Sequence, residues 1–256
     1  MNVRAAGFGA LATTACVWCA PGPAPHLPVV ARAFGIRRRL ALAGVALTFD
    51  DGPDPRTTPA VLALLAEAGV HATFFLVGEQ VERFPEIAAQ IASAGHEIGV
   101  HGYRHRPLLL RSPWNLASDL ERAEAVIGEA TGSEPRFYRA PYGVFSSGAL
   151  VLAARRSWTP LLWSRWGREW HRGETPETVA ARAAGSLEPG DVVLLHDGGR
   201  YGPAGFAELT VRALPGILER IRERGLPALT ASGWGALPSA AVFRREAAET
   251  REIASG

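Results

Sequence analysis

Thr48-Phe49-Asp50-Asp51-Gly52-Pro53 follows an apolar run, Val45 to Leu47, that reads as a buried strand. Two adjacent carboxylates stand where the strand ends, and Gly-Pro turns the chain directly after them. Neighbouring aspartates repel, and a charged pair is costly to bury without a partner. A cation therefore belongs beside them: a metal ion, an arginine, or both. Taken alone, the stretch reads about equally well as an Asp-rich turn that caps the next helix. The rest of the chain supplies matching partners and tips the balance.

Outward from this point, strand-like and helix-like segments alternate from Gly44 onward. Strands are expected at Val45–Phe49, Ala72–Val77, His96–Val100, Phe137–Arg139, Leu161–Ser164, Asp191–Leu195 and Pro227–Thr230. Helices are expected from Thr57-Thr58-Pro59 to Ala68, over Pro85–Ala94, Asn115–Ala130 and Ser146–Arg156, from Thr175-Pro176 to about Leu187, and over Phe206–Arg224. Repeated βα units imply a parallel sheet. The expected fold is α/β: a distorted (β/α) barrel of about seven parallel strands, with its chemistry at the C-terminal strand ends. A doubly wound open sheet is the alternative. The barrel accounts better for the polar residues, because Asp50 and Asp51, His101, Arg139, Ser164 and His196 each close a different strand.

The 256 residues suit one large domain. The expected limits are a leader over 1–43, a catalytic domain over 44–238 and a charged tail over 239–256. A net charge of +2 implies no polyanion partner, nucleic acid included. All bases are arginine, with no lysine, which matches the Ala, Gly and Pro load and reads as genome composition. Both cysteines, Cys16 and Cys19, lie in the leader, so neither a disulfide framework nor a thiolate site can hold the body together. The apolar stretch Ala5–Ala20 is too short and weak for a membrane span. It reads as a signal peptide with a poor cleavage signal, placing the protein in the cell envelope or outside; a disordered leader on a cytoplasmic protein is the alternative.

His101 and His105 stand four apart in His-Gly-Tyr-Arg-His. With one strand-end aspartate they form a two-His, one-carboxylate set with positions left for water and substrate. Zinc is the default; oxygen and nitrogen donors also admit Co, Mn, Ni or Fe. The second aspartate can take a proton from activated water, and Arg139 can hold it. His196 follows the apolar run Val192 to Leu195 and supplies an acid separate from the metal ligands. Trp163, Trp166 and Trp170 crowd one loop, as aromatics do where sugar rings stack, with at least one expected in the core.

Thr48–Pro53, the His101/His105 pair, Arg139–Gly143 and Leu194-Leu195-His196 resemble, in order and spacing, the motifs of the polysaccharide deacetylase family, the NodB-homology domain of carbohydrate esterase family 4. The resemblance covers roughly residues 44–230. It implies a metal-dependent hydrolase that removes N-acetyl groups from a glycan such as peptidoglycan or chitin. By position it makes Asp50 the base, Asp51, His101 and His105 the metal ligands, and Arg139 the residue that positions the base. Tyr142 becomes the oxyanion donor through its backbone N–H, and His196 the general acid. Leu195 and a tryptophan, Trp163 or Trp170, line the acetyl pocket. The sequence departs from the family pattern at Gly102 (usually Ser or Thr), Ala140 (commonly Pro) and Glu169 (commonly Asp). The longer Glu169 implies reduced but retained activity. An O-acetyl esterase or another amide deacylase would use the same residues, and a binding protein that has lost catalysis is a third reading.

Overall fold

The computed structural model describes residues 16–234, so the expected tail at 239–256 and the first part of the expected leader lie outside it. The strands are β1 (Val45–Asp50), β2 (Thr73–Leu76), β3 (Glu97–Val100), β4 (Phe137–Tyr138), β5 (Thr159–Pro160), β6 (Arg165–Trp166), β7 (Val192–His196) and β8 (Ala228–Leu229). All pairings between them are parallel, in the order β5-β4-β3-β2-β1-β7-β6, with β8 added at Val45 and Ala46 of β1. The result is the expected distorted barrel. β1 lies inside it, between β2 and β7, and every residue of it is buried. Such a strand reads as an apolar run without alternation, because both faces are covered. Phe49 stacks on Phe74 of β2 with ring centroids 5.0 Å apart.

The helices are α1 (Pro28–Ala33), α2 (Thr58–Ala68), α3 (Gly78–Arg83), α4 (Pro85–Ser93), α5 (Pro113–Thr131), α6 (Ser147–Arg155), α7 (Pro176–Ala184) and α8 (Phe206–Glu223). Several begin on an early proline, whose missing N–H costs nothing in the first turn. α5 starts earlier than expected because Ser112 caps it, accepting the Asn115 N–H at 3.3 Å. α3 was not expected; it is a single short helix ahead of Pro85.

Two expectations change. The strand expected at Leu161–Ser164 is absent; the two-residue strands β5 and β6 flank that stretch instead. The carbonyls of Leu161 and Leu162 accept hydrogen bonds from the Arg139 guanidinium at 3.1 and 3.0 Å, so a side chain occupies them where a ladder partner would. The second change concerns the leader. The packed body begins well before residue 44. Ala24, Ala31 and Ile36 are buried in the common core, and Trp18 packs over Gly148. Arg37 bridges to Leu161 and Arg39 to Asp191, so this strap spans the gap between β5 and the β7–β6 side of the sheet. Arg38 ties the strap to its own start through the carbonyls of Ala24 and Pro25. Composition hid this role, because the buried strap residues are small or isolated.

Truncation to residue 44 should therefore open the seam. The expected result is a melting temperature lowered by roughly 5–10 °C, and Ile36→Asp should lower it in the same direction. An unchanged melting temperature in both would show that the strap is dispensable.

Candidate active site

The C-terminal ends of β1, β3, β4 and β7 bring the polar residues together. Asp50 and His196 are direct register partners on β1 and β7. His101 follows β3 and bonds its backbone N–H to Leu76 of β2. Arg139 follows β4 and is fully buried. A cavity of about 260 Å³ opens among these strand ends, lined among others by Asp50, Asp51, His101, His105, Tyr142 and His196.

Arg139 Nη1 donates to Asp50 Oδ1 at 2.6 Å and to Thr48 Oγ1 at 3.0 Å. One carboxylate of the aspartate pair is thus neutralised by arginine. The other, Asp51, has Oδ1 buried without a hydrogen-bond partner. That atom lies 3.5 Å from His101 Nε2 and 3.3 Å from His105 Nε2. Donors bound to a tetrahedral ion at about 2.1 Å stand about 3.4 Å apart, so Asp51, His101 and His105 fit a divalent metal. The main-chain carbonyl of Arg139 accepts from His101 Nδ1 at 2.8 Å, which leaves Nε2 as the unprotonated donor. Burial pushes His105 down to about 4, which keeps its ring neutral as ligation requires. Burial would raise Asp51, but His101, His105 and His196 hold it down to about 2.

His196 Nδ1 donates to Glu169 Oε1 at 2.8 Å. Glu169 is buried and comes from the loop after β6, so the longer side chain keeps the contact. Burial alone would lower His196, but the Glu169 charge and hydrogen bond raise it to about 9. The tethered Nδ1 leaves Nε2 as the atom available to the cavity.

Trp163, Trp166 and Trp170 all line the cavity, and Trp170 meets His196 edge-on with centroids 5.2 Å apart. Trp163 is also the most buried of the three and belongs to the core as well. The placement of Leu195 is corrected: Leu194 lines the cavity, while Leu195 packs on the far side of β7 near Gly167. Side chains alternate along a strand, so the residue that shares a face with His196 is two before it. Tyr142 lies at the rim with φ 59°, beside His105.

Sequence reading missed Tyr201, Phe206 and Asp197. Tyr201 stacks on His105 with centroids 4.6 Å apart and donates to Glu79 at 2.6 Å. Asp197 accepts from Thr58 Oγ1 at 2.5 Å, and burial pushes it up to about 7. A Cβ at Gly52 would overlap Asp197, and one at Gly198 would overlap the backbone of Asp51, so both loops close only with glycine there. The Asp-Gly-Gly after His196 was the available signal for this contact.

The polysaccharide deacetylase family model matches residues 41–158. A peptidoglycan-N-acetylglucosamine deacetylase of Bacillus cereus is 36% identical over 183 residues, 72% of this chain and 65% of that protein. A chitooligosaccharide deacetylase of Bradyrhizobium is 34% identical over 205 residues, 75% of this chain and 92% of that one. The crystal structure of the Bc1960 peptidoglycan N-acetylglucosamine deacetylase superposes with a TM-score of 0.69 at 33% identity, covering 76% of this chain and 89% of that one. With the fold, the motif order and nearly the full length of the Bradyrhizobium enzyme shared, the chain belongs to the polysaccharide deacetylase family.

Proposed function

We propose that the protein is a metal-dependent hydrolase that removes N-acetyl groups from an N-acetylated glycan of the peptidoglycan or chitin type and releases acetate. The observation that carries this reading is the pairing of Asp50 and His196 on adjacent strands, each fixed by its own buried partner, beside an Asp-His-His donor set. A divalent metal held by Asp51, His101 and His105, zinc by default, would supply Lewis-acid activation of water and of the acetyl carbonyl. Cobalt, manganese, nickel or iron suit the same donors.

The residues of the chain divide the proton work. Asp50, held by Arg139, accepts the proton of the attacking water. The Tyr142 backbone N–H helps hold the oxygen that becomes negative as the carbonyl carbon turns tetrahedral. His196, protonated because Glu169 faces it, gives its proton to the departing amine as the C–N bond breaks. The sugar amine and acetate are then the products. Leu194 and the tryptophans give the acetyl methyl group and the sugar ring apolar surface.

Among the described residues no helix is long and apolar enough to cross a membrane. An exported or envelope location follows from the substrate class. Cleavage after Ala20 would leave Ala24, Ala31 and Ile36 in place on the barrel.

Acetate release from chitooligosaccharides and from peptidoglycan tests the reading. Metal-loaded wild type should release acetate, and Asp50→Asn should be slower by roughly 10²–10⁴-fold. Metal bound without acetate from either glycan would sink the proposal; O-acetylated substrates would then separate an esterase from a binding protein. His105→Ala should lower the bound metal measured by elemental analysis while the chain stays folded. Chelation of the wild type should abolish turnover, and added metal should restore it.

The His196–Glu169 pair has a pH signature. Glu169 raises the His196 pKa, so His196 stays protonated to higher pH and the basic limb of kcat/KM lies high. Removing the charge in Glu169→Gln lets burial dominate, and the basic limb should move to lower pH. Glu169→Asp should keep the limb nearer its original place. A limb that does not move in Glu169→Gln would remove His196 from the proton transfer.

A further inference from the structure

His101 and His105 are held in different ways. His101 Nδ1 meets the Arg139 carbonyl, so a hydrogen bond sets the plane of its ring. The same atom of His105 is buried and has no hydrogen-bond partner among the described residues. A histidine that ligates a metal through one nitrogen is ordinarily oriented by a hydrogen bond at the other. His105 lacks that tether, and other rings hold it instead. Tyr201 stacks on it with centroids 4.6 Å apart and planes 22° from parallel. Tyr142 meets it edge-on at 4.4 Å. Both arrangements are ones that aromatic rings favour.

The two tyrosines differ in how firmly they are placed. Tyr142 is half exposed at the rim. The Tyr201 hydroxyl is fastened twice: it donates to Glu79 Oε1 at 2.6 Å and accepts from Gln80 Nε2 at 2.8 Å. Both partners stand in the first turn of α3. That turn also grips the histidine loop, because the backbone N–H groups of Gly78 and Glu79 donate to the carbonyls of Gly102 and Tyr103 at 2.9 Å each. The stacked ring and the ring it covers are therefore tied to the same piece of backbone. On its other side, the turn that carries Tyr201 is packed onto α8: a Cβ at Gly202 would overlap the Phe206 ring.

Resting on the metal-dependent reading above, we infer that Tyr201 is a positioning residue for the metal site. Its ring, anchored through the hydroxyl on Glu79 and Gln80, takes the place of the missing hydrogen bond and sets the plane in which His105 presents Nε2. Tyr201 acts through His105 and supplies no donor of its own. The two histidines of the set are thus oriented by different means, His101 by a main-chain carbonyl and His105 by a stack.

The test reads metal affinity without substrate, because Tyr201 also lines the cavity. Zinc and cobalt are titrated into the metal-free full chain against a competing chelator, and the visible spectrum of the cobalt form is recorded. The variants are Tyr201→Leu, Tyr201→Phe, Glu79→Ala and the double variant Tyr201→Phe/Glu79→Ala. Tyr201→Leu removes the stack; it should weaken binding by about 10–100-fold and shift the cobalt bands. Tyr201→Phe keeps the ring and loses the hydroxyl; it should weaken binding by about two- to tenfold, the usual net contribution of one hydrogen bond. Glu79→Ala should match it, and the double variant should be no weaker than either single one, since both changes break the same bond. The metal-free melting temperatures should stay near that of the wild type. Unchanged affinity in Tyr201→Leu would overturn the inference. So would a loss in Tyr201→Leu that comes with a lowered metal-free melting temperature while Tyr201→Phe and Glu79→Ala bind as the wild type does, because the ring would then serve the fold alone. If Tyr201→Leu does not fold, additive losses in the double variant would overturn it. A wild type that binds neither metal would overturn the deacetylase reading and this inference together. The expected affinity losses without acetate release from either glycan would leave the inference standing and overturn the catalytic reading instead.

Discussion

A guanidinium without access to water must find all its partners inside the protein, and Arg139 is built around that demand. Its donors reach Asp50 and Thr48 on β1 and the carbonyls of Leu161 and Leu162 beyond β5. Its plane lies 4.0 Å over Phe75 of β2. One side chain thus joins strands that are not neighbours in the sheet. The arrangement is interdependent: removing one member of a buried ion pair leaves an uncompensated charge, at a cost of about 3–5 kcal/mol. The backbone of Arg139 takes part as well, because its carbonyl receives His101 Nδ1. The same residue therefore fixes Asp50, the carboxylate proposed as the base, and the tautomer of His101 in the proposed donor set.

This dependence explains which parts of the molecule can be read from sequence. Asp50, Asp51, His101, Arg139 and His196 all sit at strand ends, and strand ends are marked by a change from apolar to polar residues. Contacts that pair distant segments leave no such mark. Leu161 to Ser164 looks like a strand because nothing local shows that Arg139, about two dozen residues earlier, takes its carbonyls. The strap at 24–40 looks like a leader because Ala24, Ala31 and Ile36 are too sparse to form a pattern, although all three are buried. The exchange of Leu195 for Leu194 has a different origin. A fully buried strand such as β7 has no alternation of polarity to say which residues face the cavity, so its register has to be counted back from His196.

The departures at Gly102 and Glu169 are absorbed by neighbours. Gly102 adopts φ 86°, a conformation that favours glycine over a residue with a side chain. The loop it begins is braced from outside: Asp119 of α5 accepts the Tyr103 N–H at 2.9 Å and pairs with Arg111 at 3.1 Å. The segment between His101 and His105 thus has a fixed anchor that does not depend on a hydroxyl at residue 102. Glu169 is likewise held from two sides, by His196 and, at 3.4 Å, by the Thr210 hydroxyl of α8.

Burial sets the charge state of the site as a whole. Two carboxylates and a cationic histidine share a small volume, and each sign is stabilised by the other. Asp51 stays ionised beside the cationic His196, and His196 is held protonated by Glu169 with help from Asp50 and Asp51. Asp197, with the same neighbours but no cation of its own, is pushed up to about 7 by burial and by those same aspartates. The contrast between Asp51 and Asp197 follows from their surroundings: at equal burial, Asp51 faces histidines and Asp197 faces other carboxylates.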